Sequence, residues 1–423
     1  MPVCYFNNDF DKSYRCEYNL ESDEFEVSIE YDIEQEVVPV NGVRYFSSTT
    51  QYKKRDIIIV DHKNRANYLL KNAICRGQSS VYGSPDGGYN TKFACLTYFK
   101  HSNFEKLFDL PSIPKIKKIK IYSYLINDII GNPSLSRIEN KDDYIIKLKR
   151  ESQKKTIDIN QHNIRNLTVG DYWCCKKNDE KNNIEISLDG YIEVDFFKRV
   201  NYDDLHEYIY ELIVYMQLLK PDKFDITRII VYINDIQYQI FIPIRYIEKI
   251  KRTNIEVSVK DDILSYLSKC YEYLPFRKNK GEIRNIPYII MSTSRNIEDN
   301  YLMFYRFIEC YYKRKSSKGI SSNFISYSIN NNFNKDHRLT SKDVRILSQE
   351  IICLRNQYVH TGYHLKNNTL RIKFKDNKNE DYTITNVDFN WIYEKTEILY
   401  KIALDIIFVD MLKYNTYVFN RHF

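Results

Sequence analysis

Arg355, Asn356 and His360 are the residues of this chain whose types and spacing suit chemistry on a phosphate; they lie in "SQEIICLRNQYVHTGYH", Ser348 to His364. A histidine ordinarily titrates near pH ~6.5, so it can take or give a proton near neutrality. An arginine offers a planar, permanently charged donor fork that fits phosphoryl oxygens. Asn356 suits hydrogen bonds to an imidazole or a phosphate, and equally to nearby backbone. The competing reading is helix capping, because a cation is comfortable in the last turn of a helix.

The residues that must position this trio have a clear period. Val344, Leu347, Ile351, Leu354 and Tyr358 recur at steps of three and four, which predicts a helix over 341–359 with one buried face. Thr340 with Asp343 suits its N-terminus, and Gly362 its stop. On an ideal helix, residues five apart differ by ~140° around the axis and ~7.5 Å along it. Arg355 and His360 therefore meet only if the helix ends between them or a second subunit completes the site. Arg55…His62 and Arg199…His206 have a similar spacing, but the first pair brackets the strand-like "DIIIVD" and the second straddles a strand-to-helix connection.

Composition bounds the rest. The chain has 423 residues, enough for two or three domains, and no run of ~20 apolar residues that would span a membrane. "MPVCYFNNDFDKS" has neither a basic n-region nor an apolar h-region, so no secretory signal is expected. Nine scattered cysteines without a CxxC pair point to a reduced, cytoplasmic protein without structural zinc. The abundance of Ile, Asn, Lys and Tyr reflects compositional bias and by itself carries no functional weight. Residues 291–423 hold 20 basic and 14 acidic residues, six of the chain's net seven positive charges, while residues 1–36 hold 11 acids against Lys12 and Arg15. A basic C-terminal third suits a polyanionic ligand, although a solvated face is the commoner cause.

The first two thirds read as mostly β, with β-branched and aromatic runs such as "EFEVSIEYDI", "RDIIIVDH", "IKKIKIYSYLI" and "IEISLDGYIEVDFF". "RIIVYINDIQYQIFIP" predicts a hairpin turning at Asn234-Asp235, and "DDLHEYIYELIVYMQLL" a helix. "GQSSVYGSPDGG" lacks the Gly-Lys-Ser/Thr ending of a phosphate loop and reads as a surface turn. Near residue 290 the period becomes helical, with helices over 294–315 and 341–359 and from Asp388 on, interrupted by the strand-like "LRIKF" and "DYTIT". The expected fold is α+β: a β-rich domain over 1–285, with room for a further division near 150–180, then an all-α helical bundle over 290–423 with a small β insertion.

Arg355 and His360 also fit R-x4–6-H, the signature of HEPN-family ribonucleases. With "LRNQYVHTG" and "NYLMFYRFIECYYKR" (Asn300–Arg314), residues 290–423 resemble the C-terminal domain of ApeA-type HEPN proteins, a bacterial anti-phage defence family. Glu309 matches the glutamate of that family's first helix, whereas Tyr311-Tyr312-Lys313 departs from its histidine-arginine ending. The β-rich region is similar to the family's N-terminal domain in layout only. The resemblance implies metal-independent, cofactor-free RNA cleavage at a homodimer of helical domains, leaving 2′,3′-cyclic phosphate and 5′-OH ends. It implies an abortive-infection role on tRNA or other cellular RNA, with a phage-derived trigger at the N-terminal domain. Glu309 is expected to act as an ion-pair partner to Arg355 or Arg306, Tyr358 to sit in the core, and Thr361 and His364 to be loop residues. The alternative is a non-catalytic HEPN-like dimerisation or ligand-binding protein whose function lies in the β-rich domain.

Overall fold

The computed structural model describes residues 2–6, 9–20, 25–30, 54–64, 66–80, 89–95, 98–111, 113–123, 126, 135–139, 144–148, 154–178, 183–220, 226–241, 255–259, 262–274, 286, 296–315, 324–333, 338–361, 365, 368–374, 378–415 and 417–421. They form two compact units, Met1–Tyr208 with Asp225–Tyr246, and Ile209–Phe224 with Ile247–Phe423. The expected join near residue 285 falls largely outside the described residues.

The first unit is built on a closed ring of six antiparallel strands. β1 (Val3–Phe6), β2 (Asp9–Asn19), β3 (Phe25–Glu30), β4 (Arg55–Asp61), β5 (Ala66–Ser80) and β6 (Tyr89–Cys95) pair in the order β5-β4-β1-β2-β3-β6, and β6 returns to β5. Closure removes both edges of the sheet, and alternation along each strand fills the interior. In β3, Phe25, Val27 and Ile29 point inward while Glu26 and Glu30 face out. Phe6, Ile57, Ile59, Tyr68, Leu70 and Phe93 join them in one core. Residues 81–88 of the glycine-rich stretch lie outside the described residues; the strands flanking them pair Ser80 with Tyr89.

β5 leaves the ring because its first half also pairs with β7 (Tyr98–His101). Asn72, at φ 56°, marks the irregularity where β5 changes partners, and its N–H donates to Asp56 Oδ1 at 3.1 Å. The sheet continues from β7 through β15 (Ile236–Phe241), β14 (Ile226–Ile233), β8 (Lys115–Ser123), β13 (Asn183–Asn201) and β12 (Ile164–Asn178) to β11 (Lys154–Gln161). β14 and β15 make the expected hairpin, with Asn234 and Asp235 at φ 49° and 65°, the doubly positive turn that matches strand twist. β9 (Leu135–Glu139) and β10 (Tyr144–Leu148) form a separate pair.

Asp61 closes the end of β4. Its carboxylate accepts from the Tyr18 hydroxyl at 2.6 Å, from Asn64 Nδ2 at 2.8 Å, and from the backbone N–H groups of Lys63 and Asn64 at 3.0 and 3.1 Å. Burial alone would raise its pKa, but these donors outweigh burial and hold it below 3.8. A depressed carboxylate stabilises the fold above its ordinary value and ceases to do so as pH falls through the lower folded value. Asp61→Asn should therefore cost about 2 kcal/mol in urea unfolding at pH 7, with the deficit shrinking below pH 3.8. A deficit independent of pH would put the effect in shape rather than charge.

The second unit contradicts the expected all-α HEPN-like bundle. Among the described residues the chain has seven α-helices scattered from Glu105 to Asp405: α1 (Glu105–Phe108), α2 (Leu205–Leu219), α3 (Ile263–Tyr273), α4 (Ile297–Lys315), α5 (Phe324–Ser328), α6 (Ser341–Thr361) and α7 (Phe389–Asp405). They alternate with strands. β17 (Leu370–Ile372) pairs with β18 (Tyr382–Ile384), and β19 (Val418–Arg421) pairs with β16 (Ile255–Ser258). The observed class is thus a β-rich region with a closed six-stranded barrel and further strands, accompanied by dispersed helices. Helical periodicity is a local signal that locates α4, α6 and α7. The β16–β19 ladder joins residues more than 150 positions apart through main-chain hydrogen bonds, which leave no period in the sequence.

Candidate functional site

The trio rides on α6, which is anchored along its length. Thr340 and Asp343 form a reciprocal cap: the Asp343 N–H donates to Thr340 Oγ1 at 3.2 Å, and the Thr340 N–H to Asp343 Oδ2 at 3.0 Å. The Tyr301 hydroxyl on α4, fully buried, donates to the Ile351 carbonyl at 2.5 Å. Glu350 accepts from Lys395 Nζ on α7 at 2.8 Å and from the Tyr382 hydroxyl on β18 at 2.9 Å. Val344, Ile351, Leu354 and Tyr358 are buried, as the spacing requires, whereas Leu347 on the same expected face is half-buried.

Arg355 is half-buried and lies over the Tyr305 ring of α4, its Cζ 5.6 Å from the centroid. Its Nη1 donates to Asn356 Oδ1 at 3.0 Å. Burial and the nearby Glu309 charge push the Tyr305 hydroxyl up to about 12, against the opposing charge of Arg355. Glu309 and Arg355 therefore act on one phenol, one cationic and one anionic, across α4 and α6. Tyr358 is buried at 2% exposure and packs edge-on against Tyr301, centroids 5.7 Å apart. Burial, then the Glu298 charge, holds its hydroxyl well above the ordinary range, a core role as expected.

His360 is placed differently. α6 does not end between Arg355 and His360 but continues to Thr361. The two side chains of one chain thus leave the axis ~140° apart. Asn356 is the link: it receives the Arg355 hydrogen bond and shares the exposed helix face of His360, four residues on. Val359 between them is 46% exposed. Gly362, His364 and the side chains of Thr361 and Arg314 lie outside the described residues.

Sequence reasoning missed the support beneath these residues. Tyr305 reads as an ordinary apolar position, and Lys395 as a solvated lysine, whereas it is 8% exposed. Neither contact has a sequence signal, since both depend on which helix faces α6. Among the described residues no helix is long and apolar enough to cross a membrane, and no three His, Cys, Asp or Glu side chains gather to ligate a metal. No family model, no curated protein and no solved structure matches this chain.

Proposed function

We propose that this chain is an endoribonuclease that cuts RNA without a metal through Arg355, Asn356 and His360, working as a homodimer. The carrying observation is the Arg355–Asn356 hydrogen bond at the exposed end of α6, with His360 one turn beyond on the Asn356 face. In this reading His360 of one copy removes the 2′-OH proton and the new 2′-oxygen–phosphorus bond forms. The Arg355 fork of the other copy neutralises the phosphorane, and the same His360, now protonated, gives its proton to the departing 5′-oxygen. The bond to the 5′-oxygen breaks, leaving 2′,3′-cyclic phosphate and 5′-OH ends. Asn356 holds the guanidinium toward the phosphate.

The biological setting that fits is an abortive-infection effector in the cytoplasm, acting on tRNA or other cellular RNA and released by a phage-derived trigger at the barrel unit. The free thiols of all seven cysteines with described side chains suit a reducing compartment.

The test compares wild type, Arg355→Ala and His360→Ala on total RNA in EDTA, with product ends mapped. Cyclic phosphate ends from wild type, reduced about a thousandfold in either variant, are expected. Cutting by both variants at the wild-type rate would remove the assignment. A wild type silent in the tube and equally harmless with or without His360 in phage-infected cells would remove the nuclease reading altogether.

A further inference from the structure

The outer face of the extended sheet in the barrel unit has an arrangement that composition alone could not reveal. Register places Gly170, Tyr191, Tyr122 and Arg228 in one row across β12, β13, β8 and β14. The next rows run Thr168, Glu193, Lys120, Ile230 and Asn166, Asp195, Lys118, Tyr232. The intervening residues Ile119, Ile121, Ile192, Val194, Ile229 and Val231 are buried on the opposite face. One face is therefore core and the other a lattice of tyrosines and cations.

The cations sit on the rings. Lys120 Nζ lies 3.4 Å from the Tyr191 centroid and 5.2 Å from that of Tyr122. Arg228 Cζ is 4.1 Å from the Tyr122 centroid, and Lys118 Nζ 5.6 Å from that of Tyr232. Gly170 makes room for this packing: a Cβ there would meet the Tyr191 hydroxyl at 2.5 Å. Glu193 is shared between Lys118 at 3.1 Å and Lys154 at 3.9 Å, and the Lys154 side chain is 59% exposed.

We propose that this face binds single-stranded RNA, with phosphates drawing Lys118, Lys120 and Arg228 off the rings and Lys154 off Glu193, and bases stacking on Tyr191 and Tyr232. Lys120 and Arg228 are part-exposed and lie over Tyr122 and Tyr191, which are themselves only 4% and 7% exposed. A single cation–ring contact is weak, so a lysine that exchanges it for a phosphate oxygen also uncovers the ring. The vacated tyrosine face then accepts any base, which makes recognition sequence-tolerant and salt-sensitive. Glu193 is the competitor that phosphate must displace from Lys118 and Lys154. The choice of RNA over DNA rests on the nuclease reading; the face itself does not.

The test titrates a fluorescein-labelled 12-nucleotide oligouridine by anisotropy, in the full His360→Ala chain so that the probe stays intact. Lys118→Ala/Lys120→Ala should flatten the log–log salt slope by about 1.4, the share of two phosphate contacts on a single strand. Tyr191→Leu should weaken binding about tenfold. Glu193→Gln should tighten it, a gain that misfolding does not imitate. An unchanged slope and affinity in the double lysine variant overturns the proposal. So does equal binding of duplex RNA or anionic phospholipid vesicles, and tenfold tighter binding of oligodeoxythymidine overturns the choice of RNA. Loss of binding in the lysine variants of a chain that cannot cut supports this face whatever the fate of the nuclease reading. Cutting by wild type with no oligouridine binding here removes this face alone.

Discussion

Mixing Arg355→Ala chains with His360→Ala chains restores about a quarter of wild-type RNA cleavage, although each variant alone is about a thousandfold down. The reason lies in the unbroken course of α6 to Thr361, which turns Arg355 and His360 away from each other within one chain. A site needing both then takes its arginine from one copy and its histidine from the other. In a dimer of the two variants, one site receives both intact residues and the other receives neither. Random association makes half the dimers mixed, and each has one working site of two, which gives about a quarter. The experiment uses differently tagged chains produced together and assays the unfractionated pool in EDTA; the mixed species, purified through both tags, should reach about half of wild type.

The contrary result is equally sharp. If each site draws both residues from one chain, the mixed dimer contains no intact site and cleavage stays at the level of the single variants. That outcome would require α6 to open near Gln357 when RNA binds, and would overturn the composite site. Arg355→Lys should not substitute for the wild type in either arrangement. A lysine supplies a point charge without the planar fork, and the Asn356 contact through Nη1 is lost.

The parts legible in the sequence were those with a local signal. The alternation of "FEVSIE", the Asn234-Asp235 turn and the three- and four-step period of Val344 to Tyr358 each specify one element, and each is found. The barrel was not legible. Its closure depends on β5 pairing with both β4 and β6, a consequence of irregularities near Asn72 and between Cys75 and Gly77. The helical bundle failed for the converse reason: three well-patterned helices do not say that strands from residues 255–258 and 418–421 will meet beside them. At the candidate site, the identities and exposure of Arg355, Asn356 and His360 follow from the sequence. The position at which α6 ends, which decides whether they converge, does not.

Lys395→Met should cost about 3 kcal/mol in urea unfolding and reduce RNA cleavage with it. The Lys395 and Glu350 side chains are 10% and 13% exposed, and their charged atoms are 2.8 Å apart. Removing the ammonium leaves the Glu350 carboxylate in the same enclosure with only the Tyr382 hydroxyl, at 2.9 Å, to stabilise it. Breaking a buried pair in this way typically costs 3–5 kcal/mol, mostly because the remaining charge is uncompensated. The low end fits, since water still reaches about a tenth of each side chain. Replacing the whole set, Lys395→Met with Glu350→Leu and Tyr382→Phe, should recover most of the loss, because no buried charge or hydroxyl is then stranded. Glu350 lies on α6 five residues before Arg355, so the pair also fixes how that helix presents its end. Recovery of stability without recovery of cleavage in the triple variant would show that the ion pair sets the register of α6. Recovery of both would show that packing alone suffices. A Lys395→Met chain as stable as wild type within about 0.5 kcal/mol would mean that the carboxylate finds water, and the pair would lose its claim to hold the helix.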